Sequence, residues 1–314
     1  MTLYVDPATQ AFLVRARAQP AVDYRTMPPA EGRALFETLQ RPLNFSPYEM
    51  AEIRDLTVPG PGGPIPARLF RPTPEPAAPV VLYAHGGGWT FGSIESHHAL
   101  MQNLAGASGC AVLGLDYRLA PEHPFPAPLD DVLAGLDFIA QGGLGVHADA
   151  SRVAVAGDSA GANLALGAMV ARKAAGRPLP RTAALFYGCF APIFDTPSHL
   201  RCGDGSYLLG TAGMRWYWAN YLGEAAAAPP PAAAPLDADL AGLPPLYLNC
   251  AGLDPLTDDT LILAQRLADA GVRYRLDSWP GVLHGFMRMV RDVPAALAAT
   301  RAAGGFLREE FARE

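Results

Sequence analysis

The chain of 314 residues is 50% hydrophobic and 17% charged, enough apolar material for an ample core beneath a modestly charged surface. Lys and Arg number 24 against 30 Asp and Glu, a net charge of −6, and no long basic run occurs, which argues against a nucleic-acid partner. No stretch reaches about 18 uninterrupted apolar residues, and "MTLYVDPATQAFLVRARAQP" lacks the charged-then-apolar order of a secretion signal; the expectation is a cytoplasmic protein without stable membrane insertion.

Residues 1–45 carry helical patterns and no obvious sheet strand. "AEIRDLTVP" (51–59) and "IPARLFRP" (65–72) flank the turn "GPGG" and read as an antiparallel hairpin. Near-continuous apolar runs follow at 79–85, 110–117, 152–158, 182–190, 245–252 and 272–280, as expected for strands covered on both faces. Helical patterns lie between and after them, at 96–108, 128–140, 160–175, 257–270 and about 290–312. Strand and helix in alternation imply an α/β fold, a mostly parallel sheet with right-handed crossovers and helices on both faces.

The stretch 191–243 breaks the alternation. It holds the Trp/Tyr-rich "GMRWYWANYL", expected as a short helix lying over the end of the sheet, and then "EAAAAPPPAAAP" (224–235), expected as a low-complexity linker across the surface. Four scattered cysteines, Cys110, Cys189, Cys202 and Cys250, form no CxxC pair. They read as reduced, structural residues, and no metal site is expected.

The sequence "VAVAGDSAGANLAL" (153–166) changes period at a serine: an apolar strand before it, a helical stripe after it. Gly157-Asp158-Ser159-Ala160-Gly161 is G-x-S-x-G at a strand-to-helix corner. A corner that sharp drives its central residue to positive φ and brings neighbouring chain close, so glycine is needed two before and two after. The serine hydroxyl then projects at the carboxyl end of the sheet, with a helix N-terminus behind it to stabilise an anion. Serine is a poor nucleophile unless a base takes its proton and a carboxylate orients the base.

In such a fold the acid and then the histidine follow, each on a loop after a later strand. Asp254 follows "PLYLNCAGL" and His284 follows "YRLDSWPGVL". His97, His98, His123, His147 and His199 lie away from a late strand end, and His85 precedes the serine, so His284 alone suits the base. Asp258 and Asp259 share the late strand with Asp254, but after Thr257 they fit the first turn of a helix, where carboxylates favour the dipole. Upstream, His85-Gly86-Gly87-Gly88-Trp89 follows the strand "PVVLYA"; a glycine run there exposes consecutive N–H groups suited to an oxyanion.

Together, "HGGGW", "YRLAPEHPFPAPLDD", "GDSAG", "DPL" and "HGF" resemble the hormone-sensitive-lipase family of carboxylesterases, a branch of the α/β-hydrolases, over residues 79–286. The resemblance implies Ser159 as nucleophile with Asp254 and His284 as partners, and the N–H groups of Gly87, Gly88 and Ala160 as the oxyanion hole. It implies that His85 shapes the glycine loop, and that Asp116 and Arg118 make local salt bridges. It further implies a helical cap built from 1–45 and 191–243 over a catalytic core of 46–190 and 244–314. Trp89, Phe194, Trp216 and Tyr217 then become candidates for the substrate pocket, with ordinary packing between cap and core as the alternative for each. No cofactor is implied; the partner is a small-molecule ester, and a homodimer could form through the last strand and final helix. The implied activity is hydrolysis of short- to medium-chain acyl esters. The alternatives are a lipase, amidase or deacetylase variant, or a non-hydrolytic binding module such as the plant gibberellin receptors, which lack the histidine that "LHGF" keeps here.

Overall fold

The computed structural model describes residues 3–20 and 22–313. Two helices come first, α1 (Pro7–Arg17) and α2 (Pro29–Gln40), then the hairpin β1 (Glu52–Gly60) and β2 (Gly63–Arg71). The alternating part is β3 (Ala78–Ala84), α3 (His98–Ser108), β4 (Ala111–Leu115), α4 (Ala127–Ala140), β5 (Ala148–Asp158), α5 (Ala160–Ala174) and β6 (Thr182–Phe186). After the helices α6 (Pro197–Cys202) and α7 (Thr211–Leu222) it resumes with β7 (Leu246–Leu253), α8 (Thr257–Asp269), β8 (Tyr274–Leu283) and α9 (Pro294–Ala312).

The eight strands form one sheet in the order β1-β2-β4-β3-β5-β6-β7-β8. The hairpin is antiparallel within itself and to β4, and every other pairing is parallel. The sheet is wrapped on both sides, the arrangement that lets parallel strands be apolar throughout. Leu129, Val132 and Leu136 of α4, with Leu164 of α5 and Leu263 of α8, bury one face. Leu100 and Leu104 of α3, with Phe306 and Leu307 of α9, bury the other. The four cysteines are free and buried. Among the described residues, no helix is long and apolar enough to cross a membrane, and no group of three or more His, Cys, Asp or Glu side chains converges to hold a metal ion.

Two expectations need correction. The run 182–190 is strand only to Phe186, because Tyr187 turns out of the sheet with φ +37° while its N–H bonds to the carbonyl of Asn249. The Ala/Pro segment crosses the surface only at first: Ala233, Ala234, Pro235 and Leu236 are buried, and Asn163 of α5 donates its side-chain N–H to the carbonyl of Ala233. Alanine and proline carry little side-chain entropy to lose, and the peptide group of Ala232 lies where Gly167 has no Cβ. A low-complexity composition therefore serves as close packing between α5 and the insertion.

Candidate active site

The corner between β5 and α5 has the backbone that its glycines require. Ser159 sits at φ +54°, ψ −119°, and is 8% exposed. A Cβ on Gly157 would fall 2.3 Å from the backbone of Gly161, and one on Gly161 would fall 2.0 Å from the carbonyl oxygen of Ala84. Both clashes are with main chain, which cannot step aside, so the hydroxyl is aimed by the missing Cβ atoms around it. The N–H of Ser159 donates to the carbonyl of Phe186, tying the corner to the neighbouring strand.

Two later loops bring partners to that hydroxyl. His284, directly after β8, has Nε2 2.9 Å from Oγ of Ser159 and Nδ1 2.7 Å from Oδ2 of Asp254. A carboxylate accepts only, so Nδ1 carries the proton and Nε2 is free to take one from the serine. Asp254, directly after β7, is fully buried, and its other oxygen accepts the N–H of Leu256. Tyr187 sets its ring edge-to-face against His284 at 5.1 Å. Sequence reasoning did not single out Tyr187, whose position depends on where β6 ends.

Gly87 and Gly88 stand at φ +116° and +60°, a left-handed course that glycine adopts without strain. Neither N–H has a partner among the described residues, and Ala160 opens α5, where the first N–H groups of any helix lack one. Behind the loop, Asp158 accepts the N–H of Gly86 at 2.9 Å and the hydroxyl of Tyr83 at 2.8 Å, with Nε2 of His97 3.5 Å from its second oxygen. Burial alone would raise the pKa of Asp158, but His97, Arg288 and Tyr83 hold it below the ordinary carboxylate range. A carboxylate adjacent to Ser159 thus pins the first amide of the glycine loop. The motif contains Asp158 in plain view, yet nothing in the sequence says which distant groups meet it. His85 bonds through Nδ1 to the carbonyl of Gly86 and stacks on Tyr117 at 4.3 Å. Burial and neighbouring His97 lower its pKa to about 3, leaving a neutral ring.

The other candidates divide. Tyr217 packs its ring on Gly88, where a Cβ would fall 2.3 Å from it, and Trp216 stacks on Phe91 at 6.0 Å, so both flank the glycine loop. Phe194 is half-buried beneath the guanidinium of Arg215, 4.4 Å away. Trp89 is fully buried, stacked on Tyr221 at 4.2 Å and tilted against Trp218 at 4.7 Å, and presents no surface to a ligand in this conformation. Its role is packing between cap and core.

Arg118 grips Asp131 as expected, but Asp116 forms no salt bridge among the described residues; it accepts the N–H of Ile94 instead. Burial, with Glu37 and Glu95 nearby, lifts its pKa to about 6. Asp258 and Asp259 do occupy the first turn of α8, yet neither caps it: Asp258 accepts the N–H of Ser198, and Asp259 that of Phe190, so they fasten the insertion to the core.

Residues 81–288 match the family described as having the alpha/beta hydrolase fold. The chain is 38% identical over 241 residues to the carboxylesterase NlhH of Mycobacterium tuberculosis, covering 75% of each. It is 37% identical over 234 residues to the ethyl acetate hydrolase of Pseudomonas putida, covering 73% of each. Among solved structures, an ester hydrolase from the metagenome of Lake Arreo superposes with a TM-score of 0.93 at 34% identity, over 99% of this chain and 100% of that one. With this fold and these relatives, the chain belongs to the hormone-sensitive-lipase-like carboxylesterases of the α/β-hydrolase superfamily and is a carboxylic ester hydrolase.

Proposed function

We propose that the enzyme hydrolyses short- to medium-chain acyl esters by two-step acyl transfer on Ser159. The observation that carries this reading is the continuous line from the Ser159 hydroxyl through His284 to the buried Asp254, with spans of 2.9 and 2.7 Å. His284 Nε2 takes the serine proton as Oγ attacks the ester carbonyl, and the carbonyl π pair moves onto oxygen. That oxyanion lies against the N–H groups of Gly87, Gly88 and Ala160, donors already in place before charge develops. Asp254 stabilises the imidazolium and holds its tautomer. As the tetrahedral adduct collapses, His284 protonates the departing alcohol and leaves an acyl-serine. Water, deprotonated by the same nitrogen, then attacks the acyl carbon; the second adduct expels Ser159, which regains its proton, and the acid leaves.

No step calls for a cofactor. The likeness to a relative named ethyl acetate hydrolase supports the reading of small acyl groups, and Tyr217, Trp216 and Phe194 are the side chains proposed to bound the substrate. A pairing of two copies along β8, the sheet's last strand, is part of the same reading. Rapid mixing with a 4-nitrophenyl ester, acid quench and peptide mass analysis tests the covalent step. The acyl mass belongs on the peptide containing Ser159; a quenched, turning-over enzyme carrying it on another residue contradicts the reading.

A further inference from the structure

The glycine loop follows an unusual course: Gly87, Gly88 and Trp89 all have positive φ, at +116°, +60° and +56°. The third is not glycine, and a bulky residue held there persists only when its surroundings over-determine it. The residues directly after it are held by the N-terminal helix α2. Arg33, Phe36, Glu37 and Gln40 recur at helical spacing and share one face of it. Arg33 donates Nε–H to the carbonyl of Thr90 at 2.9 Å. Phe36 stacks on Phe91 at 5.6 Å, Glu37 accepts the hydroxyl of Ser93 at 2.7 Å, and Gln40 accepts from Arg288. One helix face thus holds three residues of the segment 90–93.

Arg33 reaches the oxyanion donors by two short paths. Thr90, whose carbonyl it grips, donates its own hydroxyl to the carbonyl of Gly88 at 3.0 Å. Its Nη2 also donates to the carbonyl of Ala120 at 2.9 Å, and the N–H of Ala120 holds the carbonyl of Trp89 at 2.8 Å. The outer edge of the guanidinium is fixed by paired bonds to Glu122. Only a planar fork of N–H donors meets two carbonyls and a carboxylate together; a lysine ammonium does not reproduce that set.

We propose that Arg33 is a positioning residue for catalysis: it acts through Thr90 and Ala120 to hold Gly87 and Gly88 in the geometry that receives the oxyanion. The inference rests on the oxyanion role proposed above for those amides. Seating of α2 and competence of the hydrolase are then one event, since the helix that covers the site also sets its anion donors.

The test compares a trifluoromethyl ketone, which adds to serine as a tetrahedral oxyanion, with the matching methyl ketone, which binds as a neutral carbonyl. In Arg33→Met, kcat on a 4-nitrophenyl ester falls about 10- to 100-fold, with KM within about threefold, and inhibition by the trifluoromethyl ketone weakens in the same proportion as kcat. Inhibition by the methyl ketone stays within about threefold. Arg33→Lys, which retains the charge, shares the loss and keeps the test open should the methionine variant fail to fold. Equal weakening of both ketones, an unchanged kcat, or full activity in the lysine variant overturns the proposal. If the unaltered enzyme itself binds the two ketones equally, the oxyanion reading fails first, and that outcome is separable from any effect of Arg33.

Discussion

The corner that carries Ser159 and the segments proposed as its cap, 1–45 and 191–243, are built on different principles. At the corner, position follows from the nearest atoms: remove the hydrogen from the α-carbon of Gly157 or Gly161, add a methyl, and it meets main chain at 2.3 or 2.0 Å. In the cap, position follows from partners far along the chain. Arg33 holds Thr90, Asp258 holds Ser198, and Asn163 holds Ala233. Local exclusion fixes the backbone at Ser159, whereas the cap's seat is a sum of distant contacts. The site therefore joins a corner set by its nearest atoms to a cover set by distant ones.

That difference can be sharpened by substitution, beginning at the core. Asp254→Asn keeps the shape of the acid but lets the imidazole adopt the wrong tautomer, and kcat should fall about 10⁴-fold. Steady-state kinetics with an unchanged melting temperature would fit; a loss below tenfold would mean that another carboxylate orients His284.

Where α7 meets the glycine loop, Trp89→Ala removes a ring stacked on Tyr221 and tilted against Trp218 and should cost about 3–5 kcal/mol of stability, read from urea unfolding. A cost under about 1 kcal/mol would show that cap and core are less closely packed than the stack implies.

A third difference concerns pH. Burial pushes the pKa of Asp259 up to about 8, against the pull of the N–H groups of Phe190 and Ala191. Between about pH 4, where the unfolded carboxyl titrates, and pH 8, the folded protein holds a proton there that the unfolded chain has lost. Its contribution to stability is present below that range and drains away as pH rises through it. Asp259→Asn cannot titrate, so its melting temperature should decline less steeply than the parent's from pH 5 to 8. Parallel curves would contradict a protonated Asp259.

What could be read from the sequence follows the same division. Ser159, Asp254 and His284 were legible as positions because each directly follows a strand, and the order of the strands decides which loops meet. Gly87 and Gly88 were legible because glycine is the residue that takes positive φ without strain. Asp258 and Asp259 were expected in the first turn of a helix, where they lie; what local pattern hid are their partners, Ser198 and Phe190, 60 and 69 positions away. The buried end of the Ala/Pro segment was hidden for a related reason. Small side chains look the same on a surface and in a crevice, and only the glycine opposite, Gly167, reveals which they occupy. Arg33 gives no signal at all, because a surface-type arginine on an N-terminal helix becomes informative only once Thr90 and Ala120 are seen beside it.

The most direct measurement is turnover by Ser159→Ala, purified to homogeneity and shown by circular dichroism to fold like the parent. With the attacking oxygen gone, kcat on a 4-nitrophenyl ester should drop about 10⁶-fold. Hydrolysis within tenfold of the parent rate would mean that the acyl group never passes through this serine.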